Sequence, residues 1–120
     1  MSKRVMVVDD SKATRSMVAF TLRRAAYDVL EAENGDQAIK LIGEKPIDCL
    51  ITDVNMPGMD GMELVRRMRE NPLHRTMPIL MLTTTFDGSN KGKAIEAGAT
   101  GWLGKPFLPA DLIEAIAKIL

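Results

Sequence analysis

Five short strand-like segments, each followed by a stretch of helical periodicity, constrain this chain more than any other feature. They cover residues 5–8, 28–32, 49–52, 79–82 and 101–104. Residues 5–8 (Val-Met-Val-Val) and 79–82 (Ile-Leu-Met-Leu) are continuously apolar rather than alternating, the pattern of strands covered on both faces. Strand and helix then alternate five times. That order predicts an α/β fold, a parallel sheet with helices on both faces joined by right-handed crossovers. Ligands of such sheets bind beyond the carboxyl ends of the strands.

The helical segments are read from their stripes. The first runs over 12–26, with Met17, Val18, Thr21, Leu22 and Ala25 on one face and Arg15, Arg23 and Arg24 elsewhere; Phe20 lies off the stripe. Asp10 or Ser11 caps its start. Asn34-Gly35 is read as a strand-to-helix loop before a short helix carrying Ala38, Ile39, Leu41 and Ile42. Leu64, Val65 and Met68 mark the third helix, closed by Asn71-Pro72. His74 falls in a polar loop and is expected to be solvated. The fourth helix, 89–97, is the weakest, because Gly88 and Gly92 lower its propensity and its stripe is little more than Ala94, Ile95 and Ala97. Residues 109–120 form the last helix, with Leu112, Ile113, Ile116, Ile119 and Leu120 on one face.

At 120 residues the chain is read as a single domain, 1–120. Lys+Arg 16 balances Asp+Glu 16, so no overall field steers it to nucleic acid or membrane. One cysteine, Cys49, forms no internal disulfide and is expected as a small buried hydrophobe. The start of the chain is too short in apolar residues for a signal peptide, and no run approaches a membrane span. A cytoplasmic protein is expected.

Polar residues stand at four strand ends: Asp9 and Asp10, Asp53, Thr83, and Lys105. The second strand supplies nothing comparable and is read as an edge. Three carboxylates brought together repel unless a cation lies among them. Oxygen donors without clustered His or Cys favour a hard ion, Mg²⁺ before transition metals. A carboxylate in that setting can attack phosphorus and form an aspartyl-phosphate. Lys105 and Thr83 are suited to stabilising the phosphoryl oxygens.

Asp9-Asp10 after the first strand, Asp53 followed by Met56-Pro57 and Met59-Asp60-Gly61, Thr83, and Lys105-Pro106-Phe107 together resemble the receiver domain of two-component response regulators. The resemblance spans the whole chain. It implies a flavodoxin-like fold with strand order 2-1-3-4-5, which brings Asp9 and Asp10 to Asp53. It also implies that Asp53 accepts phosphate from a sensor histidine kinase of the CheA type. Asp10 would hold Mg²⁺ directly, Asp9 through water, and Asn55 through its backbone carbonyl. Thr83 and Lys105 would contact the phosphoryl group. Asn55 and Thr85 match positions that tune dephosphorylation. Trp102 matches the aromatic switch position, where Tyr or Phe is usual. The Lys105-Pro106 bond is expected to be cis.

The segment Ala99-Thr-Gly-Trp also resembles chemotaxis receivers of the CheY type that act alone. With the chain ending after its fifth helix, output is expected from the receiver surface itself. Lys91, Lys93, Trp102 and Lys118 would fall on or near the face of the fourth helix, fifth strand and fifth helix. The expected partner there is a protein such as a flagellar motor switch component, and a phosphatase is a further partner. The expectation is a monomeric phosphoacceptor that catalyses its own phosphorylation and dephosphorylation rather than an enzyme acting on other substrates. One alternative is a phosphorelay intermediate or phosphate sink passing phosphate to a histidine phosphotransfer protein. Another is an aspartyl-nucleophile phosphatase, but its Asp-x-Asp motif is absent.

Overall fold

The computed structural model describes residues 2–84 and 88–120, with the side chains of 88–91 outside the description. The elements are β1 (Arg4–Val8), α1 (Lys12–Arg24), β2 (Asp28–Ala32), α2 (Gly35–Glu44), β3 (Cys49–Asp53), α3 (Gly61–Glu70), β4 (Ile79–Thr83), α4 (Gly88–Ala97), β5 (Gly101–Gly104) and α5 (Pro109–Ile119). A 3-10 turn, Pro72–His74, follows α3. The strands pair in parallel in the order β2-β1-β3-β4-β5. The expected fold class and strand order are both present, and β2 is an edge.

Alternate residues of each strand feed two separate cores. Val5, Val7, Cys49, Ile51, Leu80 and Leu82 pack with Val18, Ala19 and Leu22 of α1 and Leu112 and Ile116 of α5. Met6, Val8, Leu50, Ile79 and Met81 pack instead with α2, α3 and α4. Central strands buried on both faces are the reason their sequences read as unbroken apolar runs. Cys49 is fully buried, and burial pushes its thiol up to about 12.

Local chemistry sets the element ends. Ser11 caps α1, its Oγ accepting from the Thr14 N–H at 3.3 Å. Asn34 caps α2 in the same way, accepting from the Gln37 N–H at 2.8 Å. Asp60 caps α3 through the Glu63 N–H. The Lys105-Pro106 bond is cis.

Several expectations need correction. α1 stops at Arg24, short of residue 26, because Ala26 adopts a left-handed φ of 71° that ends the helix. Its buried stripe is Val18, Ala19 and Leu22; Met17 and Ala25 are exposed. The stripe is thus shifted from the expected one, with Ala19 taking the place of Met17 and Ala25. Phe20 is 62% exposed, with the Arg24 guanidinium 5.8 Å from its ring centroid. His74 is not fully solvated: it ends the 3-10 turn half-buried, and its Nδ1 is buried without a hydrogen-bond partner. Burial, and then the positive charge of Arg69, hold its imidazole below the usual histidine range.

Candidate functional site

Register brings the polar strand ends together. Val8 pairs with Thr52, so the next residues, Asp9 and Asp53, leave the sheet side by side. Asp53 pairs with Leu82, one residue before Thr83. Thr83 pairs with Gly104, one residue before Lys105. The sequence distance from Asp9 to Lys105 collapses because four parallel strands end along one edge.

The carboxylate oxygens of Asp9, Asp10 and Asp53 lie within 4.8 Å of one another. Lys105 Nζ bridges two of them, at 3.0 Å from Asp9 Oδ2 and 3.2 Å from Asp53 Oδ1. Asp9 is buried, 1% exposed, and three further features hold it. The Ser11 N–H donates to Asp9 Oδ1 at 2.9 Å, and Arg15 Nη1 donates to the Asp9 backbone carbonyl at 2.7 Å. Its second carboxylate oxygen takes the Lys105 ammonium. Asp10 is exposed, at the solvent side of the cluster. The arrangement is therefore one fixed carboxylate, one free carboxylate and Asp53 between strands.

Burial raises the Asp53 pKa above the ordinary carboxylate value; Lys105 opposes that shift and the charges of Asp9 and Asp10 add to it. A carboxylate in this position gains from a second cation. The donor set is all oxygen and fits a hard divalent ion such as Mg²⁺.

The loop after β3 is shaped to present Asp53. The Val54 N–H donates to the Leu82 carbonyl at 3.0 Å, and the Gly61 N–H donates to the Val54 carbonyl at 2.9 Å. A side chain on Gly61 would collide with the Asp53 backbone carbonyl, so only glycine lets α3 start so close to the strand. Gly58 supplies the turn with φ of 75°. Asn55 is exposed on this loop, two residues from Asp53.

Thr83 is fully buried at the end of β4, and its carbonyl accepts the Lys105 N–H at 2.7 Å. By strand alternation it faces the same side as Met81, whose cross-strand partner is Trp102. Trp102 is half-buried against the α2/α3/α4 core. It lines a cavity of about 130 Å³ with Ala94, Ile95, Ala99, Thr100 and Gly101. Lys93 is exposed on α4, and Lys118, on α5, is 3.4 Å from Glu114 in an exposed pair one turn away. Such a pair stabilises little. Thr85 and the Lys91 side chain lie outside the described residues. Among the described residues no helix is long and apolar enough to cross a membrane.

Arg15 is the site residue that periodicity missed. Periodicity puts it off the apolar stripe, and in the fold it reaches back to the Asp9 carbonyl and lies 3.5 Å from Glu31. Its only signal in sequence is its place one turn after the Ser11 cap.

Comparison with known proteins agrees with this geometry. The response regulator receiver domain family matches residues 5–117. The chain is 40% identical to the Vibrio cholerae chemotaxis protein CheY4, with a TM-score of 0.97 and each chain covered over its full length. A response regulator from Chloroflexus aurantiacus is also 40% identical, with a TM-score of 0.95, covering 99% of this chain and 98% of its own. Among curated proteins, the phosphate regulon transcriptional regulatory protein PhoB of Pseudomonas aeruginosa is 37% identical across 100% of this chain and 52% of its own length. The chain spans about half the length of the curated relatives it matches. With the strand order and the acidic cluster, these matches establish that the chain belongs to the response regulator receiver domain family of two-component systems.

Proposed function

We propose that Asp53 is the phosphoacceptor, taking a phosphoryl group from a sensor histidine kinase, and that the product signals by binding a protein. The observation that carries this reading is the Lys105 ammonium held 3.2 Å from Asp53 Oδ1 beside two more carboxylates. An Asp53 oxygen attacks phosphorus as the phosphorus–nitrogen bond of a phosphohistidine breaks and the imidazole leaves. Lys105 then stands where a phosphoryl oxygen gains negative charge, and Thr83 offers a hydroxyl on the next strand. Asp10, Asp53 and the Asn55 backbone carbonyl would hold Mg²⁺ directly, with Asp9 acting through water. The ion supplies charge neutralisation when bound.

Full-chain similarity to a chemotaxis protein supports an output in chemotaxis or motor control, in the cytoplasm, through Lys91, Lys93, Trp102 and Lys118. Thr83 and Trp102 sit on one side of the sheet and would carry the switch; a new dianion at Asp53 biases an existing equilibrium. Asn55 and Thr85 would set the phosphate lifetime. Similarity to transcriptional regulators favours a second reading, in which the same phosphorylation governs a transcriptional output.

Incubation with acetyl phosphate and Mg²⁺ should add the mass of one phosphoryl group. Asp53→Asn should abolish the gain and EDTA should suppress it. Equal labelling of the variant would overturn the assignment. Thr83→Ala should still label but lose most of the Trp102 emission change. Pull-down with beryllofluoride-activated protein separates a motor component, a histidine phosphotransfer protein and a transcriptional partner.

A further inference from the structure

Arg69, in the last turn of α3, makes contacts that neither the acidic cluster nor the Thr83–Trp102 pair requires. Its Nε and Nη2 both donate to the Gly98 carbonyl, at 3.0 and 2.7 Å. Nη1 donates to the His74 carbonyl at 2.7 Å, and Nη2 also reaches Thr100 Oγ1 at 3.4 Å. Thr100 in turn joins the start of β4: its Oγ1 accepts the Ile79 N–H at 3.0 Å, and its own N–H donates to the Ile79 carbonyl at 2.8 Å. One guanidinium therefore ties together α3, the 3-10 turn, the end of α4 and the entry to β5.

The end of α4 is built for this contact. The Ala99 N–H bonds the Ala94 carbonyl and the Gly98 N–H bonds the Ile95 carbonyl, with Gly98 at φ of 110°. That is a glycine-terminated helix end of the Schellman type. A Cβ on Gly98 would also stand 2.9 Å from Arg69 Cγ, so the site admits only glycine on two counts. The end of α4 and the end of the 3-10 turn each present a carbonyl, those of Gly98 and His74, to the same cation. The buried described side chains of α4 are Ala94 and Ala97, both small and both in its C-terminal half, while Ile95 is 62% exposed. The cavity of about 130 Å³ beside Trp102 adjoins this same end, through Ala99 and Thr100.

We infer that Arg69 is a positioning residue that pins the C-terminal end of α4, so that α4 moves as a lever about Gly98 with its N-terminal end toward the phosphorylation site. The pin itself is a property of the folded chain; its role in switching rests on the function proposed above. It sets where α4 can yield: the helix turns about its C-terminal end, while residues 97–99 stay fixed to α3 and the sheet.

Amide hydrogen exchange on the full chain tests the pin without phosphorylation. Protection should rise along α4 toward the amides of Gly98 and Ala99. A flat or reversed gradient in the wild-type protein would overturn the proposal, whatever any variant does. In Arg69→Gln those two amides should exchange roughly 10- to 100-fold faster, the range for losing a hydrogen bond to a charged group. Arg69→Lys should restore only part, since an ammonium lacks the planar fork. Unchanged protection of both amides in a folded Arg69→Gln would refute the pin. With beryllofluoride, wild-type changes should stop short of Gly98, whereas in Arg69→Gln they should extend through Ala99; a wild-type change extending through Ala99 would refute the lever. Acetyl phosphate labelling of Asp53 is measured alongside, because its failure would count against the phosphoacceptor reading and leave the exchange gradient standing.

Discussion

The two faces of the sheet are packed with different materials. The α1/α5 face is filled by Val, Leu and Ile, with no methionine in its core cluster. The α2/α3/α4 face holds Met6, Met56, Met62, Met68, Met77 and Met81, with Met59 packed against them, which is seven of the chain's nine methionines. Branched side chains keep few rotamers, whereas methionine is unbranched and adapts to irregular gaps. The adaptable face is also the one carrying Thr83, Trp102, the cavity and α4. The switch proposed above would gain from this division: Asp9 and Asp53 continue the strand positions of the α1/α5 face, and the methionine-rich face is the one that tolerates repacking.

The largest expected effect tests that division directly. Ile51→Met, at a fully buried position on the α1/α5 face, should cost roughly 1–3 kcal/mol in urea unfolding, because an unbranched chain must be forced into a site shaped for a branched one. Met81→Leu, on the other face beside Trp102, should cost less than about 1.5 kcal/mol. Comparable losses would break the comparison and make both faces equally exacting.

A second test concerns the rim where the faces meet. Because Asp53 has a raised folded pKa, stability contributed by its protonated form is fully present below the unfolded value near 3.8 and is lost as pH rises through the raised value. In metal-free buffer Asp53→Asn should therefore melt above wild type at pH 7, with the gap closing toward pH 3.8. Adding Mg²⁺ should raise the wild-type melting temperature and leave the variant's almost unchanged. A variant less stable than wild type at neutral pH would show that the Lys105 bridge outweighs the burial of charge.

The smallest effect belongs to the far end of the methionine face. His74 has a lowered folded pKa, so its contribution is present above the unfolded value of 6.5 and declines as pH falls through 6.5 to the lowered folded value. His74→Gln should flatten the fall in melting temperature between pH 7 and pH 5. Parallel slopes for the two proteins would mean that the imidazole is solvated in solution.

Sequence alone determined the strand count, the alternation and the strand-end residues, because period and chain order are local properties. Asp9, Asp53, Thr83 and Lys105 were visible as polar residues directly after apolar runs, and register then placed them together. The family resemblance supplied the strand order, which periodicity does not encode. Only the tertiary structure decided what long side chains do. Helical periodicity puts Arg15 off the apolar stripe of α1 and says nothing of what it touches, yet Arg15 and Arg69 each extend an aliphatic stem to a backbone carbonyl outside their own helix. The same holds for the α1 stripe, which buries Ala19 rather than Met17, and for His74, half-buried at the end of a 3-10 turn near Arg69. A helical period says where a Cβ points; which carbonyl a guanidinium finds depends on neighbours that are distant in sequence.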